Sequence, residues 1–212
     1  MTQVPMNHFD RSKPFYPLVM HYLAQLIGIK ELALRGIVGS ESLEALVDRI
    51  PALGAVPAGN EAKVTEVRDE LRKLNGPLEL RSEYQDNHIT IDIDDIARDV
   101  VANHLYLLSS TLRSAGSLLI LAHEISKDTP WHDTGSLWEF LRHSRNAAAH
   151  GGVFNFLHGE PRQPTLWGSF VITAKLQGTL LFKDRAGAGL LSPGDPIRLL
   201  WDIEQAYPQM SA

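Results

Sequence analysis

The stretch over residues 136–156 constrains this chain most, because it combines a strong helical pattern with an abrupt stop. Apolar and small side chains recur there at three- and four-residue spacing, which is the pattern of an amphipathic helix. They are Leu137, Phe140, Leu141, Ser144, Ala148 and Gly151. Gly151 and Gly152 then follow each other, and glycine readily takes the left-handed conformation that ends a helix. The sequence therefore predicts a helix that begins near Ser136 and stops at this glycine pair.

The last turns of the predicted helix carry a cluster of cationic and hydrogen-bonding side chains. The cluster comprises Arg142, His143, Arg145, Asn146 and His150. Asn146 and His150 are four residues apart and share a face, whereas Arg145 and His150 lie about 140° apart around the axis. A long arginine side chain can still reach toward the side of the imidazole. The end of this helix is therefore the candidate functional region.

The N-terminal part of the chain is predicted to form helices followed by a hairpin. Apolar residues recur at helical spacing from Pro14 to about Gly36 or Gly39. Residues 78–93 alternate apolar and polar side chains around a turn at 85–87, which predicts a β-hairpin. Between these elements the pattern predicts a short helix, a Pro- and Gly-rich loop and a charged surface helix, over residues 40–50, 51–59 and 60–76.

Residues 95–127 are predicted to form the longest helix. It would be about 45–50 Å long if unbroken, with Gly116 as the candidate position for a kink. We interpret the three acids at its start as helix caps rather than metal ligands, since no further spaced ligand accompanies them. These acids are Asp92, Asp94 and Asp95. A short loop leads to the helix at 136, so the two helices are expected to be antiparallel neighbours. Small residues on both, such as Ser109, Ala115 and the alanines at 147–149, permit close packing.

The C-terminal part is predicted to add a second hairpin and a terminal helix. Residues 166–172 are assigned to the first strand of the hairpin and residues 180–182 to the second. An amphipathic helix then runs to Tyr207, with Leu199, Leu200 and Ile203 facing inward. We expect one mainly α-helical domain with two small β-hairpins. It would comprise accessory helices and a hairpin, a core helix pair, and a hairpin with the C-terminal helix, over residues 14–90, 94–156 and 157–212.

Composition excludes several classes of protein. The chain has no cysteine, which rules out disulfide frameworks, zinc–thiolate sites and cysteine nucleophiles, and which is compatible with the cytoplasm. Its net charge of −5 argues against non-specific coating of nucleic acid, so any such contact would be local. The N-terminus lacks the apolar region of a signal peptide. Residues 105–122 are interrupted by Arg113 and several serines, and are interpreted as a buried helix rather than a membrane span.

The remaining histidines and the tryptophans receive structural interpretations. His143, His150 and His158 do not have the spacing of metal ligands, so no metal or other cofactor is expected. His123 and His132 flank a loop and are interpreted as surface groups. The four tryptophans are interpreted as core or interface anchors rather than platforms for stacking bases.

The segment from Arg145 to His150 has the form arginine, polar residue, three further residues, histidine, at the end of a helix that is expected to pack on a longer one. This resembles the motif of the HEPN superfamily (higher eukaryotes and prokaryotes nucleotide-binding), in which four to six residues separate an arginine from a histidine. The neighbouring residues resemble the usual neighbours of that motif: Phe140, Leu141, Arg142 and Gly151. The specific part of the resemblance covers residues 94–156. Trp167, the second hairpin and the helix start at Gly194-Asp195 are similar to one group of prokaryotic HEPN proteins.

The resemblance implies a HEPN-like antiparallel helical bundle and a metal-independent endoribonuclease that works as a homodimer, with two motifs meeting across a cleft. His150 would move protons in cleavage by the neighbouring 2′-hydroxyl, and Arg145 would stabilise the charge of the phosphorane. Asn146 would orient His150 or bind a phosphate oxygen, and Arg142 with His143 would attract the RNA backbone. The expected partners are a second copy, RNA and an antitoxin or defence protein, with no membrane.

Two other interpretations stay open at the level of sequence. In the first, the chain is a non-catalytic HEPN module that binds RNA or a protein partner through the same helix face. In the second, the cluster is structural: Arg145 forms an ion pair with Glu124 or Asp128 on the longer helix, and His150 caps the end of its own helix.

Overall fold

The structure, a computed structural model, describes residues 10–38, 77–82, 87–157 and 159–210. Within these residues the fold is mainly helical with two small antiparallel strand pairs, as the sequence predicts. The elements in chain order are α1 (Tyr16–Val38), β1 (Leu78–Ser82), β2 (Asn87–Ile91), α2 (Ile93–Ala102), α3 (His104–Ser126), α4 (Ser136–Ala149), β3 (Thr165–Trp167), β4 (Phe170–Ile172), a 3₁₀ turn (Ala174–Leu176) and α5 (Asp195–Ala206). The helices predicted over 40–50 and 60–76 lie outside the described residues.

The chain divides into two compact units. The first contains Met1–Ile27 and Ser109–Ala212, and the second contains Gly28–Leu108. The predicted motif residues all belong to the first unit. The organisation as a single domain stays a prediction.

The first unit is built around one apolar core. Helix α4 sends Trp138, Phe140 and Leu141 into it, and all three side chains are fully buried. Burying a side chain of this size stabilises the fold by about 1.5–3 kcal/mol. The inward stripe predicted for this helix is confirmed for Phe140, Leu141 and Ser144, whereas Leu137 and Ala148 are half-buried and Gly151 is exposed. The other elements contribute further fully buried side chains: Phe15, Val19, Ala115, Leu119, Ala122, Ile172, Leu181, Leu191, Leu199, Leu200 and Ile203.

Helices α3 and α4 pack closely and run antiparallel, as predicted. A Cβ added to Gly116 of α3 would lie 3.3 Å from the Cβ of Ala148 on α4. Further along α3, Glu124 forms an ion pair with Arg145, which comes earlier in α4. Moving forward along one helix therefore leads backward along the other. Helix α3 continues unbroken through Gly116, where the lack of a side chain lets the two helices approach each other.

The predicted stop of α4 is confirmed in detail. Gly151 and Gly152 have φ angles of 77° and 81°, in the left-handed region that glycine adopts without strain. The N–H of Gly152 donates to the carbonyl of Ala147 over 2.9 Å, which is the long hydrogen bond of a Schellman ending. His150 is thereby fixed as the last residue of the helical turn, and its own N–H donates to the carbonyl of Asn146 over 3.0 Å.

The prediction of one long helix over residues 95–127 is wrong, because the chain forms α2 and α3 on either side of Asn103. The N–H of Asn103 donates to the carbonyl of Asp99 and ends α2, and its side-chain oxygen accepts from the N–H of Leu105 and caps the start of α3. A short amide side chain competes in this way with the hydrogen bonds of a continuous helix.

The interpretation of the acids before α2 as helix caps is confirmed for Asp92. Its carboxylate accepts from the N–H groups of Asp94 and Asp95, at 2.9 Å and 3.2 Å. Those two acids occupy the first turn, where the helix dipole favours negative charge.

The second unit contains the predicted hairpin of residues 78–93. Strand β1 pairs antiparallel with β2, with Leu78 opposite Ile91 and Leu80 opposite Ile89. In the same unit Arg35 near the end of α1 pairs with Asp94. Gly36 lies so close to Ala97 of α2 that a Cβ would overlap the carbonyl oxygen of Ala97. Here too a glycine permits two helices to approach.

The second hairpin exists, but the prediction of its strands is wrong. Residues 165–172 hold both strands: β3 pairs with β4, with Thr165 opposite Ile172 and Trp167 opposite Phe170. Gly168 and Ser169 form the two-residue turn, and the φ of 54° at Gly168 suits the turns that connect tight hairpins. Leu180 and Phe182, predicted as the second strand, make isolated bridges to Val153 and Leu191 instead.

The terminal helix is confirmed as α5, with Leu199, Leu200 and Ile203 fully buried. Its inward face also carries Glu204, whose side chain is only 3% exposed.

Among the described residues one helical segment, Leu105–Ser126, is long and apolar enough to cross a membrane by length and composition alone. Core helices pass the same test, and Leu118 and Leu119 of this segment are buried in the core. Leu121 and Ile125 are exposed.

Candidate functional site

Arg145 sits in the contact between α3 and α4. One of its terminal nitrogens, Nη2, pairs with Oε1 of Glu124, and the other carboxylate oxygen of Glu124 accepts from Lys127 over 2.7 Å. The hydrogen bonds from Lys127 and Arg145 lower the pKa of Glu124 to about 2. This is the ion pair that the structural interpretation of the sequence predicts. The Arg145 side chain nevertheless stays 29% exposed.

Asn146 lies beside Arg145 and is bonded to it. Nη1 of Arg145 donates to Oδ1 of Asn146 over 3.0 Å. The Nε of Arg145 is buried and has no hydrogen-bond acceptor within the described part of the chain. Arg145 therefore offers one nitrogen to a carboxylate and one to an amide, and Asn146 orients the guanidinium rather than the imidazole of His150.

His150 closes α4 and is exposed to solvent. Its backbone is held by the hydrogen bond to Asn146. No hydrogen bond or ion pair engages its imidazole among the residues that the structure describes. An exposed imidazole that is bound to nothing else is available for proton transfer to a ligand.

Arg142 lies in a separate cluster with two carboxylates. It forms a pair of hydrogen bonds to Glu139, at 2.8 Å and 3.1 Å, and another pair to Glu160, at 3.1 Å and 3.3 Å. The bonds to Glu139 raise the pKa of Arg142, and in return the pKa of Glu139 is lowered. With two acids around it, Arg142 presents little net positive charge to a polyanion.

His143 is almost fully buried next to this cluster. Its Nε2 lies 3.2 Å from a terminal nitrogen of Arg142, and its ring packs edge-on against Phe156 at 5.6 Å between centroids. Burial, followed by the charge of Arg142, lowers the pKa of His143. A neutral imidazole that accepts from Arg142 belongs to the packing of α4 and is out of reach of a ligand.

His123 and His132 are not surface groups, and that prediction is wrong. The two rings meet edge-on at 5.6 Å, and His132 stacks on the buried Trp138 at 4.3 Å. Nδ1 of His132 lies 3.2 Å from the hydroxyl of Ser126. Burial is the main cause that lowers the pKa of both histidines.

His123 is also the histidine that lies beside Arg145. Its Nδ1 is 3.8 Å from the Glu124 oxygen that binds Arg145, and the charge of Arg145 contributes to lowering the pKa of His123. Sequence reasoning missed this neighbour because it compared spacings within one helix. The sequence does carry one indication of this contact, since His123 directly precedes Glu124, a predicted ion-pair partner of Arg145.

The four tryptophans lie in the core or pack against it, which agrees with the predicted role as core anchors. Trp138 is fully buried, and the indole N–H of the buried Trp167 donates to Asp202 over 2.9 Å. The start of α4 is attached to the second hairpin by Ser136, whose hydroxyl both donates to the carbonyl and accepts from the N–H of Leu166, each over 2.8 Å. The position of α4, and with it the candidate site, is thus fixed at both ends.

In the described ranges no group of three or more His, Asp or Glu side chains is arranged to hold a metal ion. Comparison of the chain with models of protein families, with curated proteins and with solved structures gave no match.

Proposed function

We propose that this protein is a metal-independent endoribonuclease of the HEPN type. The observation that carries the proposal is the end of α4. The Schellman ending places the exposed His150 four residues after Asn146, and its imidazole has no partner among the described residues. Asn146 in turn holds the guanidinium of Arg145. The antiparallel packing of α3 and α4 around small residues supports the HEPN-like bundle. The resemblance of the motif supplies the reaction.

The chemistry requires proton transfer and stabilisation of negative charge. The 2′-oxygen of a ribose attacks the adjacent phosphorus, the bond from phosphorus to the 5′-oxygen breaks, and the products are a 2′,3′-cyclic phosphate and a free 5′-hydroxyl. His150 donates the proton that the leaving 5′-oxygen needs, and water takes up the proton that the attacking 2′-hydroxyl loses. Arg145, which stays charged at all physiological pH values, stabilises the phosphorane. No metal ion is required for these steps.

Arg145 must exchange one partner for this to happen. The terminal nitrogen that pairs with Glu124 is the one that a phosphate would take, while the bond to Asn146 can persist. Glu124 keeps Lys127 as a partner when Arg145 leaves it. Because Glu124 and Arg145 are both partly exposed, water screens their attraction and the exchange is feasible.

The remaining assignments belong to the same proposal. The protein acts in the cytoplasm and as a homodimer. The dimer is needed because two motifs together supply the local positive charge that a chain with a net charge of −5 lacks. Its partners are RNA and an antitoxin or defence protein. Asn146 positions Arg145 on the substrate. Arg142 contacts the RNA backbone with its guanidinium, after exchanging the carboxylate of Glu139 or Glu160 for a phosphate.

A non-catalytic HEPN module that binds RNA or a protein is the second candidate. The observation that favours it is the ion pair between Arg145 and Glu124, since a guanidinium with a permanent internal partner cannot stabilise a phosphorane.

The decisive experiment incubates the purified protein, with a chelator present, with a labelled single-stranded RNA. Arg145→Ala and His150→Ala are each expected to lower the cleavage rate by about 100-fold or more, because each removes stabilisation or protonation of the transition state. Far-ultraviolet circular dichroism confirms that both variants fold.

Two exposed residues away from the motif provide matched controls: His21→Ala on α1 and Arg11→Ala before α1. Both are expected to cleave like the wild type. Equal cleavage by wild type and by both motif variants would refute the assignment. RNA binding without cleavage in the wild type would establish the non-catalytic candidate.

A further inference from the structure

A groove of about 580 Å³ lies next to the end of α4, on the side of α3. Its lining includes Ala149 and Gly151, the residues immediately before and after His150. Its long wall is one face of α3, where the lining residues repeat at helical spacing: Ser109, Leu112, Arg113, Gly116, Ser117 and Ile120. The volume falls in the range of sites that hold one small ligand or one group of a larger ligand.

The floor of the groove is apolar. Leu112 and Ile120 are half-buried there and provide carbon surface, and the buried Phe182 lies beneath, 3.9 Å from the position where a side chain of Gly116 would begin. An apolar surface suits the face of a nucleobase or a sugar.

The charges in the lining are Arg113 on α3 and Asp184 on the opposite edge. Arg113 is exposed, and within the described ranges no carboxylate pairs with it. Asp184 is tied in place, since its carboxylate accepts from the N–H of Ala188 over 2.9 Å. An anionic group that enters the groove is therefore attracted to the α3 side and repelled from the other edge. The hydroxyl of Ser117, four residues after Arg113, lies on the attractive side.

We propose that this groove binds one nucleotide of single-stranded RNA next to the bond on which His150 acts, with the phosphate on Arg113 and the base or sugar over Leu112 and Ile120. This inference rests on the proposed function for the identity of the ligand. It adds a binding residue, Arg113, that lies outside the motif and on the other helix. It also gives the net acidic chain a local cation for the backbone of the substrate.

The test measures the affinity of a fluorescein-labelled single-stranded RNA by anisotropy, with His150→Ala as the background so that binding is measured without cleavage. Adding Arg113→Ala is expected to weaken binding about 10-fold, because a charge-assisted contact to phosphate is lost. Arg113→Lys should recover part of the affinity, since lysine keeps the charge but not the planar fork of donors. The slope of log affinity against log salt should fall by about 0.7 for Arg113→Ala.

Two further variants separate a local contact from general charge. Arg11→Ala removes the same charge from an exposed position outside the groove, and should change the affinity less than twofold. Asp184→Asn removes the repulsive charge, and should tighten binding or leave it unchanged. If Arg113→Ala binds RNA as tightly as the His150→Ala background, the groove assignment is overturned, while metal-independent cleavage by the wild type would still support the proposed function. If the wild type does not cleave but binding depends on Arg113, the groove assignment holds and the ribonuclease assignment fails.

Discussion

Glu204 offers the sharpest test of the core, because its carboxyl group is buried on the inward face of α5 and its Oε1 atom has no hydrogen-bond donor within the described residues. Burial raises the pKa of Glu204 from 4.5 to about 7, and the N–H of Phe15 and the charge of Lys13 only partly oppose this. The folded protein therefore keeps a proton on Glu204 at pH values where the unfolded chain has released it.

The direction of the pH effect follows from that difference. Between pH 4.5 and about pH 7 unfolding releases a proton, so the free energy of unfolding falls as the pH rises. Stability from this group is fully present below the unfolded pKa and is lost once the pH passes the folded one. With these two pKa values, the loss between pH 5 and pH 8 is about 2.5 kcal/mol.

Glu204→Gln removes the ionisation and keeps the size of the side chain. We expect the free energy of unfolding of this variant, minus that of the wild type, to rise by about 2.5 kcal/mol from pH 5 to pH 8. The measurement is urea denaturation followed by circular dichroism at several pH values, with linear extrapolation. The histidines whose pKa values are lowered by burial are common to both proteins, so their contribution cancels in the difference.

Glu31→Gln on the exposed side of α1 is the matched control, since it removes the same charge without burial. Its difference from the wild type should be flat with pH. A flat difference for Glu204→Gln as well would show that the Glu204 carboxyl is solvated in the folded protein, and the reasoning about its burial would be wrong.

Two further expectations concern the helices around the candidate site. Gly28→Ala in α1 should raise the free energy of unfolding by about 0.5–1 kcal/mol, because an added Cβ meets no atom of the described residues within 4 Å. Gly116→Ala should give no such gain, because its Cβ would lie 3.3 Å from that of Ala148. Thermal or urea unfolding of the two variants decides this, and equal gains would contradict the close contact of α3 and α4. Glu124→Gln should strengthen RNA binding in the His150→Ala background by about fivefold at most, because the substitution removes the carboxylate that competes for Arg145. The anisotropy assay measures this affinity. Weaker binding would mean instead that the ion pair is needed to hold Arg145 in position.

The helices and their ends could be predicted where local chemistry decides them. The glycine pair after His150 fixes the end of α4, and Asp92 fixes the start of α2, because each acts within a few residues of itself. The break at Asn103 and the turn at Gly168 are also decided locally, because a short amide side chain interrupts the helix and a glycine adopts the positive φ of the turn. The apolar runs on both sides masked these signals.

The partners of the site residues could be predicted only in part. Glu124 is one of the two acids that the sequence predicts as ion-pair partners of Arg145, because α3 and α4 are expected to be neighbours. Two other contacts depend on how the loops on either side of α4 fold back against it. They are the stacking of His132 on Trp138 and the ion pair between Glu160 and Arg142. Sequence spacing carries no information about how these loops fold back, so the surroundings of the motif could be seen only in three dimensions.

The contact between Gly116 and Ala148 limits which substitutions this fold can accept in evolution. The two positions share one volume, so a carbon gained at 116 has to be given up at 148 if the helices are to keep their separation. In related chains the two positions should therefore vary together. Gly116 lies about two turns before Glu124 on α3, and Ala148 lies three residues after Arg145 on α4, so this pair of small residues also marks the register of the two helices. Sliding one helix past the other by a turn would put a larger side chain at the contact and separate Arg145 from its carboxylate.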